Sequence, residues 1–222
     1  MGLRESILRD GYGLAYAAVS PPLLDEVRCD VMRLIEFFYD GHTDNPDYWS
    51  YELDGQIQPV LYRIHNLEKQ PGCPAVCQLL DDPALPDIAS SCLGQRALAT
   101  VRAAVIKLPR VGAPVPWHRD RSHDGVAAGQ AVNLSLYLHD STAGNGCLQV
   151  VPGSQTLQGD VDPDEWRRTH DITNVEARAG DITVHDVRLV HGSGPNRKDA
   201  LCVRIVMEFR AESLPADVLL QR

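Results

Sequence analysis

AVNLSLYLH, residues 131–139, alternates: Leu134, Leu136 and Leu138 fall on one side and Asn133, Ser135, Tyr137 and His139 on the other. A period of two is what a strand with two unlike faces requires. Working outward, VRAAVIKL (101–108), CLQVV (147–151), ITNVEA (172–177), DITVHD (181–186) and LCVRIVMEF (201–209) are equally β-rich. Turn signals such as AGNG (143–146) and GSGPN (192–196) separate them.

The first 98 residues have another character. Leu3, Ile7 and Leu8 share a helical face over residues 3–10, and Gly11 stops that helix. Residues 13–19 (GLAYAAV) read as a short strand. Ser20 is placed to cap a second helix, with Pro21 at its first position. Its apolar stripe is Leu23, Val27, Val31, Leu34, Ile35 and Phe38. Residues 40–56, rich in Gly, Asp, Asn, Pro and aromatics, read as a long loop suited to a lid. Residues 75–98 are expected to be mostly helical, interrupted by Pro83 and Pro86. Helices first and evenly spaced strands afterwards predict a mainly-β fold with bracing helices, a double-sheet jelly roll. The expectation is one domain over 1–222. Residues 1–98 supply helical and strand support and a lid, and 99–210 form the jelly-roll core.

Composition narrows the partners. The chain has 222 residues, 44% of them apolar and 23% charged, so it can bury a core without disulfides. A formal net charge of −9 disfavours nucleic acid and anionic membranes as partners, though not an anion in a locally basic pocket. Six cysteines include no CxxC pair, and Cys73 and Cys77 have no second cluster to complete a zinc site. Six reduced thiols suit a cytoplasmic protein. The opening MGLRESILRDGYG lacks the apolar run of a signal peptide, and no stretch reaches the roughly 20 apolar residues of a membrane span.

The chemistry gathers in PWHRD (116–120) and VHGSGPN (190–196). His118 and Asp120 are two apart, hence on one face of an extended strand, and His191 follows just before a turn. Two imidazoles and one carboxylate can cap one face of an octahedral metal and leave the other open. That is the arrangement of non-haem Fe(II) oxygenases. The same HxD spacing recurs at His42 and Asp44, in a loop with no partner motif, and is set aside.

WHRD, NGCLQVVPGSQ (145–155), AGDITVHDVRLVHGSGPN (179–196) and the closing strand together resemble the phytanoyl-CoA dioxygenase family of 2-oxoglutarate oxygenases. The resemblance is close over 100–210 and looser at the N-terminal DGYGL. It implies a double-stranded β-helix, Fe(II), O₂, and oxidative decarboxylation of 2-oxoglutarate coupled to C–H oxidation. It also implies His118, Asp120 and His191 as iron ligands and Ser193 beside the co-substrate carboxylate. Family members usually carry an arginine eleven residues after the second histidine, where this chain has Cys202. Arg204 shares that strand face and can supply the bidentate guanidinium, with Arg197 as second choice. Arg63 stands where relatives often place a basic residue near the co-substrate.

Asp120 favours hydroxylation, or a related desaturation or cyclisation, over halogenation, because halogenating relatives replace this carboxylate with a small residue. With no basic run for a CoA group, the expected substrate is a small molecule, an amino acid or a natural-product intermediate. His65, His123 and Trp49 are candidate substrate contacts, and residues 40–56 and 121–130 candidate lids. His185 lies six residues before His191 and is placed to support a metal-bound imidazole. Two other readings fit the same fold: a cupin-like metalloenzyme that does not use 2-oxoglutarate, and a non-catalytic jelly-roll binding module.

Overall fold

A computed structural model describes residues 2–120, 125–159 and 162–215. Among the described residues five α-helices run over α1 Leu3–Asp10, α2 Pro21–Tyr39, α3 Pro74–Leu80, α4 Ala84–Leu93 and α5 Pro163–Thr169. The strands of the first half are β1 Tyr12–Ala15, β2 Tyr48–Tyr51, β3 Val60–His65 and β4 Ala97–Lys107. Then come β5 Val115–His118, β6 Ala131–Tyr137, β7 Leu148–Val150, β8 Thr173–Val175, β9 Ile182–Asp186, β10 His191–Ser193 and β11 Cys202–Ala211. They form a seven-stranded sheet in the order β1-β9-β6-β11-β4-β3-β2 and a four-stranded sheet in the order β5-β10-β7-β8. All the pairings are antiparallel. This is the double-stranded β-helix, a jelly roll braced by helices.

The core lies between the outer face of the larger sheet and the helices. Val27, Val31, Leu34 and Phe38 of α2, Leu85 and Cys92 of α4, Leu134 and Leu136 of β6 and Ile205 of β11 pack in one buried cluster. Apolar residues at helical spacing on α2 and at strand spacing on β6 meet there, as their periods dictate.

Several expectations are corrected in detail. Leu8 is 49% exposed, so Ile7 carries the buried contact of α1. Leu24 rather than Leu23 is fully buried on α2, and Asp30 lies inside the stripe. Asp30 accepts the backbone N–H groups of Ala75 and Val76, which lets a carboxylate sit in the core. Ser20 precedes α2 but its side chain makes no capping hydrogen bond. Residues 40–56 are not loop throughout, because β2 lies within them and pairs with β3 at the sheet edge. Pro83 sits just before α4 and Pro86 within its first turn, so the interruption lies between the two helices. The larger sheet draws β1, β2 and β3 from before residue 99. Among the described residues, no helix is long and apolar enough to cross a membrane.

Candidate metal centre

The two sheets enclose a cavity of about 400 Å³. Its floor is the inner face of the larger sheet, where strand register sets side chains in three transverse rows. Arg63, Val105, Arg204 and Tyr137 stand opposite one another across β3, β4, β11 and β6. The next row is His65, Ala103, Val206 and Ser135. The third is Val101, Glu208, Asn133 and His185. Residues two apart on each strand share this face, so a polar row alternates with the apolar residues of the core.

The smaller sheet supplies the ligand groups. His191 of β10 pairs with His118 of β5, which brings two distant stretches of chain side by side. Their rings lie 4.2 Å apart between centroids. Asp120 follows β5, with Oδ1 3.4 Å from His118 Nε2 and Oδ2 3.8 Å from His191 Nε2. One ligand atom from each of the three residues lies within 4.8 Å of the others, and no other such group of three occurs among the described residues.

Hydrogen bonding fixes which nitrogen each imidazole presents. His118 Nδ1 lies 2.8 Å from the Pro116 carbonyl and His191 Nδ1 2.9 Å from the Leu189 carbonyl. A carbonyl only accepts, so each Nδ1 carries the proton and each Nε2 offers its lone pair inward. Burial disfavours charge on His191 and pushes its pKa down to about 3, against the pull of Asp120. Burial also opposes charge on His118, but the hydrogen bond and charge of Asp120 outweigh it and raise that pKa. Asp120 is buried as well, yet His191, His118 and His185 hold its carboxyl well below the usual range. A neutral His191 and an ionised Asp120 are ready ligands for a divalent cation, and His118 joins them by giving up the proton that its contact with Asp120 favours. Adjacent donors on an octahedral ion with bonds of about 2.1 Å lie about 3 Å apart, and the three donor atoms here lie within 4.8 Å of one another.

Arg204 and Arg63 line the same cavity, on the row farthest along β11 from Glu208. Cys202 is buried on the same face as Arg204 and is no substitute for a guanidinium. Ser193 pairs with Val115 and Leu148, both cavity residues, and its Oγ is buried without a hydrogen-bond partner among the described residues. A polar atom in that state suits an incoming acceptor. The register between β5 and β10 shifts between His191 and Ser193, so a bulge sets the spacing of these two residues.

Of the remaining candidates, His65 lines the cavity and also an adjoining groove of about 450 Å³ that Trp49 borders. The Trp49 and His65 rings are 4.1 Å apart. Arg197 is exposed on the loop after β10 and does not line the cavity. His123 lies outside the described residues. The sequence reading missed Asn133, Ser135 and Glu208 as site residues. It also missed Lys107, whose Nζ donates to the carbonyls of Ala113 (2.9 Å) and Gly194 (2.5 Å) beside Ser193. Burial, and then the charge of Arg204, push the pKa of Lys107 down to about 7.

The sequence pattern of the phytanoyl-CoA dioxygenase (PhyH) family matches residues 7–205. A probable alpha-ketoglutarate-dependent hypophosphite dioxygenase of Stutzerimonas stutzeri is 25% identical over 170 residues, which are 69% of this chain and 58% of that protein. An L-proline trans-4-hydroxylase of Streptomyces griseoviridis is 39% identical over 101 residues, 43% of this chain and 35% of that protein. The chain therefore spans less than two thirds of the length of either relative. The crystal structure of AviO1 from Streptomyces viridochromogenes Tue57 superposes with a TM-score of 0.90 at 38% identity, over 96% of this chain and 95% of that one.

Proposed function

The chain belongs to the phytanoyl-CoA dioxygenase family, and from that premise we propose that it is an Fe(II)- and 2-oxoglutarate-dependent oxygenase that hydroxylates a small molecule. One observation carries the reading. Two inward-facing Nε2 atoms and one carboxylate converge on a cavity whose inner wall carries Arg204 and Arg63.

His118, Asp120 and His191 would hold the ferrous ion. Bound there with 2-oxoglutarate, it supplies activation of O₂, with succinate and CO₂ released and a substrate C–H bond oxidised. The protein's own part is positional and electrostatic. The Nδ1–H bonds to Pro116 and Leu189 keep both imidazoles in the ligating tautomer. Arg204 offers a fork of donors to the far carboxylate of the keto acid, Ser193 adds a hydroxyl, and Arg63 extends the positive wall. Arg197, exposed and remote from the cavity, takes no part. Val101, Val105, Val115, Leu148 and Val206 give the cavity apolar walls beside the ligand residues.

The substrate enters from the side of the cavity where His65 and Trp49 lie. A small molecule such as an amino acid or a natural-product intermediate fits a volume of about 400 Å³. Hydroxylation of L-proline by the relative named above lends weight to an amino acid. Residues 1–222 act as one oxygenase domain in this reading. The test is a substrate screen read by succinate release in the presence of Fe(II), 2-oxoglutarate and O₂. Turnover with a small molecule that is lost in Asp120→Ala supports the reading. Unchanged turnover in Asp120→Ala refutes it.

A further inference from the structure

Asp120 offers two oxygens, and they are not equivalent. Oδ2 accepts Asn133 Nδ2 at 2.6 Å and His185 Nε2 at 3.2 Å and lies 3.8 Å from His191 Nε2, whereas Oδ1 faces His118 Nε2 at the shorter distance of 3.4 Å. The two donors come from one cross-strand pair, Asn133 of β6 opposite His185 of β9, on adjacent interior strands of the larger sheet. Neither is a surface group: His185 is 4% and Asn133 6% exposed. The His185 ring also packs against His191, with centroids 4.4 Å apart. Its Nδ1 is buried with no partner among the described residues, so the one described hydrogen bond of this imidazole goes to Asp120. An ionised carboxylate only accepts, so His185 must donate through Nε2–H and cannot present that nitrogen to a metal.

From this geometry we propose that Asn133 and His185 are positioning residues that clamp Asp120 Oδ2, so that the carboxylate ligates through Oδ1 alone. The proposal rests on the metal-centre reading above. A free carboxylate can chelate a metal through both oxygens. Chelation would take a coordination position that a bidentate keto acid needs, and would leave the carboxylate free to turn away from His118 and His191. Two charge-assisted hydrogen bonds from rigid interior strands prevent both outcomes. The clamp also explains why two polar side chains occupy buried positions on adjacent strands: Asn133 Nδ2 and His185 Nε2 both find their acceptor in Asp120.

The experiment uses Co(II) as the probe, bound to the full-length protein without substrate. Its affinity and visible ligand-field spectrum report on the ligand set whether or not the protein turns over. His185→Phe keeps a ring of similar size and removes the donor. His185→Gln keeps a donor at similar reach. Asn133→Ser shortens the other donor beyond reach and fits the same space. The proposal expects His185→Phe and Asn133→Ser each to weaken Co(II) binding about 10- to 100-fold and to alter the spectrum, as loss of groups supporting a ligand does. His185→Gln should restore affinity and spectrum towards wild type, which a purely packing role of the ring would not. Thermal unfolding without metal identifies the variants that fold, and the Asn133 and His185 arms are read independently. Wild-type affinity and spectrum in both His185→Phe and Asn133→Ser overturns the clamp. So does His185→Gln behaving like His185→Phe. Asp120→Ala separates the two levels: if it too binds Co(II) as wild type does, the metal-centre reading itself has failed.

Discussion

The larger sheet buries both of its faces, and the two are built for different ends. Its outer face sets Leu134, Leu136, Ile205 and Val184 against the helices as close-packed hydrocarbon. Its inner face, reached by moving one residue along the same strands, carries Asn133, Arg204, Glu208 and His185 around the cavity. Asn133, Glu208 and His185 are buried and Arg204 half-buried, but only the outer face gains free energy by leaving water. The inner face holds charged and polar groups out of water, at a cost that mutual hydrogen bonds such as Asn133 to Asp120 offset. If the cavity is the active site proposed above, stability and activity fall to alternate residues of β6 and β11, and neighbours in the chain should fail in different ways.

Leu136→Ala should produce the largest loss of stability, about 2–5 kcal/mol, through a cavity in the outer-face core. Denaturant titration measures it, and the fraction that still folds should bind Co(II) with unchanged affinity. Arg204→Ala, on the inner face of β11, should leave the unfolding midpoint nearly unmoved. It should raise the KM for 2-oxoglutarate about 10- to 100-fold, as the loss of a charged hydrogen-bond pair requires. Arg204→Lys should recover little, because an ammonium cannot reproduce the fork.

Lys107 sharpens the contrast through pH. Its folded pKa of about 7 lies below the ordinary 10.5. Between those values the unfolded chain binds a proton that the folded chain does not, so stability rises with pH. From about pH 7 to 8, below most of the titration of the unfolded cysteines, wild type should gain on the order of 1 kcal/mol on this account. Lys107→Met should lose that slope in denaturant titrations run across the window. Ser193→Ala should have the smallest effect, about a 3- to 10-fold rise in the KM for 2-oxoglutarate from one hydroxyl contact. A fall in stability in place of that rise would move Ser193 from the binding wall to the core.

The outer face and the triad were legible in the sequence. The outer face follows periods that survive any detail of packing, 3.6 along α2 and two along β6; the strand expected to carry both His118 and Asp120 ends at His118, and Asp120 reaches the same place from the bend that follows. The inner face was not legible, because a polar residue on a strand reads as solvent-facing. Asn133, Ser135 and Glu208 face a cavity instead, and only the closing of one sheet over the other reveals it. Short strands were hidden by composition. β5 contains Pro116, which is tolerated because β5 is an edge of its sheet. β10 is three residues long with Gly192 at its centre. In β3, Val60 and Leu61 are both buried, so alternation is lost where both faces are covered. The choice of Arg204 over Cys202 rested on strand parity, and Arg204 does line the cavity.

The most direct measurement is an anaerobic titration of the protein with Fe(II) and then 2-oxoglutarate, followed in the visible region. A ferrous ion held by His118, Asp120 and His191, with room left for a chelating keto acid, predicts a weak charge-transfer band. That band should appear only when both are present and vanish in Asp120→Ala. A wild-type protein that gives no band, or an Asp120→Ala variant that gives the same one, would contradict the account.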